Sequence, residues 1–91
     1  MTKSELIKQI SAETNVSVEL ASSICNKVFT IIQESLEQGS RVEIRGFGSF
    51  SVKQYAGYTG RNPKTGTSVY VESKRMPIFR AGKKLKDFIN S

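Results

Sequence analysis

The chain has 91 residues, a formal net charge of +6, a single cysteine and no histidine. That length makes one small domain. Without histidine, and with Cys25 alone, no metal cluster and no intrachain disulfide is available. General acid–base chemistry has almost nothing to work with, so neither an enzyme nor a bound cofactor is expected. The charge is uneven. Residues 1–40 carry three lysines against five glutamates, a net of −2, whereas residues 41–91 carry eleven Lys and Arg against three acids, a net of +8. A positive excess confined to one half favours a polyanionic partner over a merely solubilising surface.

No apolar run approaches the ~18 residues of a membrane span, and the N-terminus lacks the apolar core of a signal peptide. The expectation is a soluble cytoplasmic chain that makes no membrane contact.

Residues Thr2 to Glu13 read as a first helix. Thr2 and Glu5 form a capping box, and Leu6, Ile7 and Ile10 share one face. Asn15 ends that helix and Ser17 caps a second, from Val18 to about Gln38. Its expected buried stripe is Ala21, Ile24, Cys25, Val28, Ile31, Ile32 and Leu36, widened by Leu20 and Phe29. Gly39 stands where a left-handed helix stop is wanted. So wide a stripe is more than one short helix covers, which points to a second copy of the chain. Cys25, in its centre and with no base to activate it, is read as a small core hydrophobe.

From Arg41 the period changes to two. Val42 and Ile44, then Phe50 and Val52, alternate with polar residues across a turn at Gly46-Phe47-Gly48. A Gly-x-Gly can also cradle phosphate with its amides, and the turn and cradle readings are compatible. Phe47, Phe50 and Phe79 are expected as core aromatics packed beneath the helices.

Between Tyr55 and Tyr70 the chain has strand-like flanks around Gly60-Arg61-Asn62-Pro63-Lys64-Thr65-Gly66, a tip with almost nothing apolar. Such a segment cannot offset its ordering entropy by burial. As a two-stranded ribbon of roughly ten residues a side it would project about 30 Å. The remaining body, roughly seventy residues, is near the size where a single core is marginal, again favouring oligomerisation.

Alternation resumes at Val69 and Val71, and Met76 to Phe79 reads as a last strand that Pro77 places at an edge or bulge. A short final helix spans about Lys83 to Ile89. Its first turns hold Lys83, Lys84 and Lys86, unfavourable for the helix dipole unless they meet an anion; a plain solvated face stays open.

The expected class is α+β in a single domain. A helical part, about 1–40, precedes a part spanning 41–91. The latter holds a three-stranded antiparallel sheet, a protruding ribbon at about 53–74 and a C-terminal helix. Three blocks then bear on function: Ile44-Arg45-Gly46-Phe47-Gly48-Ser49-Phe50, Thr59 to Gly66, and Pro77-Ile78-Phe79 with Gly82-Lys83-Lys84-Leu85-Lys86. In this order they resemble the bacterial histone-like DNA-binding proteins of the HU and integration host factor family, over essentially the whole chain.

The resemblance implies an intertwined homodimer whose two arms hold duplex DNA through the minor groove and bend it in the bacterial nucleoid. Pairing with a related subunit stays open, as does RNA, which basic ribbons also grip. Pro63 would be the wedge between base pairs; as a residue, it is equally a turn former. Lys53, Tyr55, Tyr58, Arg61, Asn62, Lys64, Lys74 and Arg75 would line the arm. Phosphate clamps would comprise Thr2, Lys3 and Ser4, then Arg45, Gly46, Phe47 and Gly48, then Arg80, Gly82, Lys83, Lys84 and Lys86. Family arms commonly carry arginine where Tyr55 and Tyr58 stand here. Little sequence specificity is the leading expectation. A site-specific bender resembling integration host factor is the alternative, on the strength of Glu43-Ile44-Arg45.

Overall fold

A computed structural model describes residues Met1–Ser91. The chain divides into two compact units, Met1–Ser35 and Leu36–Ser91, the boundary falling inside the second helix.

In the first unit, α1 (Lys3–Thr14) begins at Thr2, whose hydroxyl accepts from the Glu5 N–H at 3.1 Å. Such a cap contributes about 1 kcal/mol. Asn15 closes the helix in the left-handed conformation at φ 60°, and the Ser11 hydroxyl donates to the Val16 carbonyl at 2.6 Å to fix the turn. The Ser17 hydroxyl then accepts from Leu20 N–H at 3.1 Å and starts α2 (Val18–Glu37).

The apolar stripe of α2 is not buried within one chain. Only Ala21 and Cys25 are, while Ile24, Val28 and Ile31 remain about half exposed, as do Leu20 and Phe29. This is the shortfall that the width of the stripe implies for a single chain: α1 is too short to cover so broad a face.

The second unit holds β1 (Val42–Ile44), β2 (Gly48–Tyr55), β3 (Tyr58–Arg61), β4 (Ser68–Val71), β5 (Lys74–Ala81) and α3 (Lys83–Ile89). β1, β2 and β5 form an antiparallel sheet in that order, and β3 pairs with β4 as a two-stranded ribbon. β5 is longer than Met76–Phe79 and is an edge strand, the place Pro77 requires. Phe50 stands opposite Phe79 with ring centroids 4.9 Å apart, and Phe47 lies 5.5 Å from Phe79. Phe47 and Phe79 are each more than two-fifths exposed in the single chain, so one copy does not close over these rings.

Gly48 makes the sheet close. A side chain there would put Cβ 2.5 Å from the Arg80 carbonyl oxygen and 2.6 Å from the Phe79 ring. No helix is long and apolar enough to cross a membrane.

Candidate nucleic-acid interface

Strand alternation gives the sheet two chemically different faces. Val42, Phe50, Val52, Pro77 and Phe79 occupy one. The opposite face carries Glu43, Ser49, Ser51, Lys53 and Tyr55 with Lys74, Met76, Ile78 and Arg80. Ser49 and Ser51 are short, so its centre is shallow and its rim is cationic. A depression of about 300 Å³ on this face is lined by Arg41, Ser49, Ser51, Lys53 and Arg80, among others. The Lys53 ammonium sits 5.3 Å from the centre of the Tyr55 ring, so Tyr55 orients a cation although it carries none. Arg41, Ser49 and Ser51 were absent from the expected site. Their place on the period-two face with Lys53 was the available signal.

A second groove of about 300 Å³ joins the Gly46 turn to the start of α3, with Arg41, Arg45, Gly46, Arg80 and Gly82 in its wall. Two of the three expected phosphate-clamp segments therefore meet. The Lys84 side chain passes over Gly46, and the Gly82 N–H donates to the Phe47 carbonyl at 2.8 Å. This bond, and that from Phe47 N–H to the Ile44 carbonyl at 2.9 Å, commit two amides expected to face phosphate. The Phe47 bond closes the turn on itself and the Gly82 bond ties that turn to the start of α3, each amide finding an acceptor within the chain. Gly82 caps α3 without a side-chain bond, so the first amides of α3 at Lys83 and Lys84 keep their orphan donors. Thr2, Lys3 and Ser4 lie at the start of α1, in the other unit. An ion pair between Arg41 and Glu43, at 4.0 Å with both side chains well exposed, offsets little of the positive field.

The ribbon is not one continuous ladder. Pairing stops after Tyr55 and Lys74 and resumes at Tyr58 and Val71, leaving Ala56-Gly57 and Glu72-Ser73 unpaired. Each gap is two residues long, so the register carries across with no bulge. Gly57 fills this joint tightly: a Cβ would lie 2.6 Å from the Tyr70 hydroxyl and 3.0 Å from the Ser73 nitrogen. Within the ribbon, Thr59, Arg61, Ser68 and Tyr70 share one face, while Tyr58, Gly60, Val69 and Val71 share the other. Tyr58 and Arg61 thus do not form a common surface, as strand alternation between positions three apart requires.

At the tip, Asn62 N–H donates to the Thr67 carbonyl and Gly66 N–H to the Asn62 carbonyl, both at 2.8 Å. The Asn62 side-chain oxygen accepts from Lys64 N–H at 2.9 Å. Gly66 holds φ 72°, a conformation that costs a side-chain-bearing residue about 1–2 kcal/mol. Pro63 is carried exposed on this closed loop between Arg61 and Lys64. Arg75, expected along the arm, donates from Nη2 to the Leu36 and Glu37 carbonyls at 3.2 and 3.3 Å. No group of three or more His, Cys, Asp or Glu side chains is placed to hold a metal ion.

The profile of a family described as bacterial DNA-binding protein matches residues 1–90. The chain belongs to the HU and integration host factor family of bacterial DNA-binding proteins. It is 44% identical over 89 residues to DNA-binding protein HU-1 of Halalkalibacterium halodurans, covering 98% of this chain and 99% of that relative. It is 47% identical over 87 residues to integration host factor subunit beta of Haemophilus influenzae, covering 94% and 93%. Among solved structures, an Anabaena HU–DNA cocrystal structure superposes with a TM-score of 0.86 at 30% identity, covering 98% of this chain and 97% of that one. Within the HU and integration host factor family, the ribbon and the basic sheet face are the features of this chain that carry a functional argument.

Proposed function

We propose that the chain is a histone-like architectural protein of the bacterial nucleoid. Two copies bind duplex DNA, lay their ribbons in the minor groove and bend the duplex with little sequence specificity. The observation that carries this reading is the tip: an exposed, rigid proline ring on a hydrogen-bonded loop, flanked by Arg61 and Lys64. A ring without a donor can enter a base step without leaving a hydrogen bond unmade. Unstacking costs a few kcal/mol per step and is offset by the contacts a bent duplex permits, a scheme established for this family among minor-groove binders.

The basic sheet face and the amides and lysines at the start of α3 supply sequence-independent attraction to phosphates. Arg45, Lys53, Lys74, Arg80, Lys83, Lys84 and Lys86 carry the charge. Lys3 and the first amides of α1, with Thr2 and Ser4, form a further contact in the proposal. The half-exposed stripe of α2 supports the dimer, because a second copy supplies the cover that one chain lacks.

A site-specific bender is the second reading. It is favoured by the 47% identity to an integration host factor subunit and by Arg45 in the wall of the basic groove. In that reading a related chain replaces one copy of the dimer.

The test is affinity for a panel of random duplexes, with bending read by end-to-end fluorescence transfer, repeated on Pro63→Ala. Near-equal affinities, with bending lost in the variant, are expected. A subset of sequences binding tighter by about 4 kcal/mol or more would give the site-specific reading the lead. Unchanged bending in the variant would make Pro63 a turn residue only. Tighter binding to duplex RNA than to nicked DNA would sink the minor-groove reading.

A further inference from the structure

The last turn of α2 holds Glu34 and Glu37 and no basic residue. Its carbonyl end, already the negative pole of the helix, thus carries two acids and no cation of its own. The missing cation comes from 38 and 39 positions further along the chain. Arg75 Nη2 reaches the Glu37 carbonyl at 3.3 Å and the Leu36 carbonyl at 3.2 Å. The Leu36 carbonyl also accepts the Gly39 N–H at 3.0 Å, so the helix end and the start of the following loop are closed by the same acceptor.

Arg75 lies on β5 opposite Gln54, one residue pair inside the joint where the ladder is interrupted. Its neighbour Lys74 makes no such bond. One nitrogen of the guanidinium, Nη2, spans both carbonyls, so a single side chain closes the last turn of the helix from outside it.

We propose that Arg75 is a positioning residue for the ribbon. It anchors the root of β5 on the carbonyl end of α2, so that ribbon motion is confined to the Ala56-Gly57 and Glu72-Ser73 joint. This rests on the DNA-bending reading for its consequence, but the anchor itself is a property of the free protein.

The experiment compares the full-length protein with Arg75→Gln and with Arg75→Lys, which keeps the charge but loses the planar fork. In free protein, Arg75→Gln speeds hydrogen exchange of the Gly39 amide by about two- to fivefold, the range expected for losing a cation at a helix end. On DNA, it broadens the distribution of end-to-end transfer efficiencies and leaves the slope of log K against log salt unchanged. Arg75→Lys gives an intermediate exchange rate and the same slope.

A slope shallower by about 0.9 in Arg75→Gln, the value of one phosphate left unneutralised, would make Arg75 a phosphate ligand and overturn the proposal. So would an unchanged Gly39 exchange rate, or a faster rate with no broadening on DNA, which would reduce Arg75 to a helix cap. If the parent protein does not bend DNA, the function proposed above fails, while Gly39 exchange still decides whether the anchor exists.

Discussion

The side-chain oxygen of Asn62 accepts a hydrogen bond from the backbone N–H of Lys64 at 2.9 Å, spanning Pro63. The bond fixes the residues on either side of the proline before any partner arrives. A loop ordered in advance does not have to lose that freedom on binding. Asn62→Ala removes the acceptor, so part of the ordering cost moves into the binding step. DNA affinity is expected to fall by about 0.5–1.5 kcal/mol, roughly two- to tenfold, in a titration at fixed salt. Unchanged affinity would mean that the tip is held by its two backbone bonds alone.

Gly48→Ala tests the closeness of β2 and β5. Its Cβ would stand 2.5 Å from the Arg80 carbonyl oxygen, a backbone atom that cannot rotate away. One strand must shift, at a cost of about 3 kcal/mol, which lowers the thermal midpoint by at least about 10 °C. Calorimetry at matched protein concentration measures it, and a midpoint equal to the parent's would refute the clash.

Ile24→Asp tests the cover of α2. Ile24 is 50% exposed in the single chain, so the substitution costs an isolated chain little. In a dimer that buries the stripe, it places an unpaired carboxylate in an apolar interface. The dimer dissociation constant is expected to rise by at least about 100-fold in sedimentation equilibrium. A monomeric parent protein, or a variant that still dimerises, would remove this face from the assembly.

Tyr55 and Tyr58 neutralise no phosphate. Changing both to arginine should steepen the dependence of log K on log salt by about 0.9 for each phosphate newly neutralised. The structure divides the pair: Tyr55 packs under Lys53 on the basic sheet, while Tyr58 shares the ribbon face of Gly60 and Val69 rather than that of Arg61. Tyr55→Arg alone is therefore expected to give the larger change. Equal slopes in the double variant and the parent would place both positions away from phosphates.

What the sequence determined by itself is local. Thr2, Ser17, Asn15 and Gly39 mark helix ends because each acts on backbone within a few positions. The change from helical to two-residue period at Arg41 announces the sheet, and the Gly60 to Gly66 block announces an unburied tip. Tertiary structure decided everything that needs a partner distant in sequence. The Arg75 anchor closes over 38 positions. The commitment of the Gly82 amide depends on Phe47 lying beside it, and the shallow basic face needs β2 and β5 in register. At the Ala56-Gly57 joint the sequence offers only a glycine within a strand pattern, a sign of a bulge or of a close backbone approach; the approach of Tyr70 and Ser73 shows which it is. The incomplete cover of the α2 stripe, by contrast, was legible in its width. A pattern of apolar residues states which face avoids water, and packing shows which of its side chains, here Ala21 and Cys25, the chain itself buries.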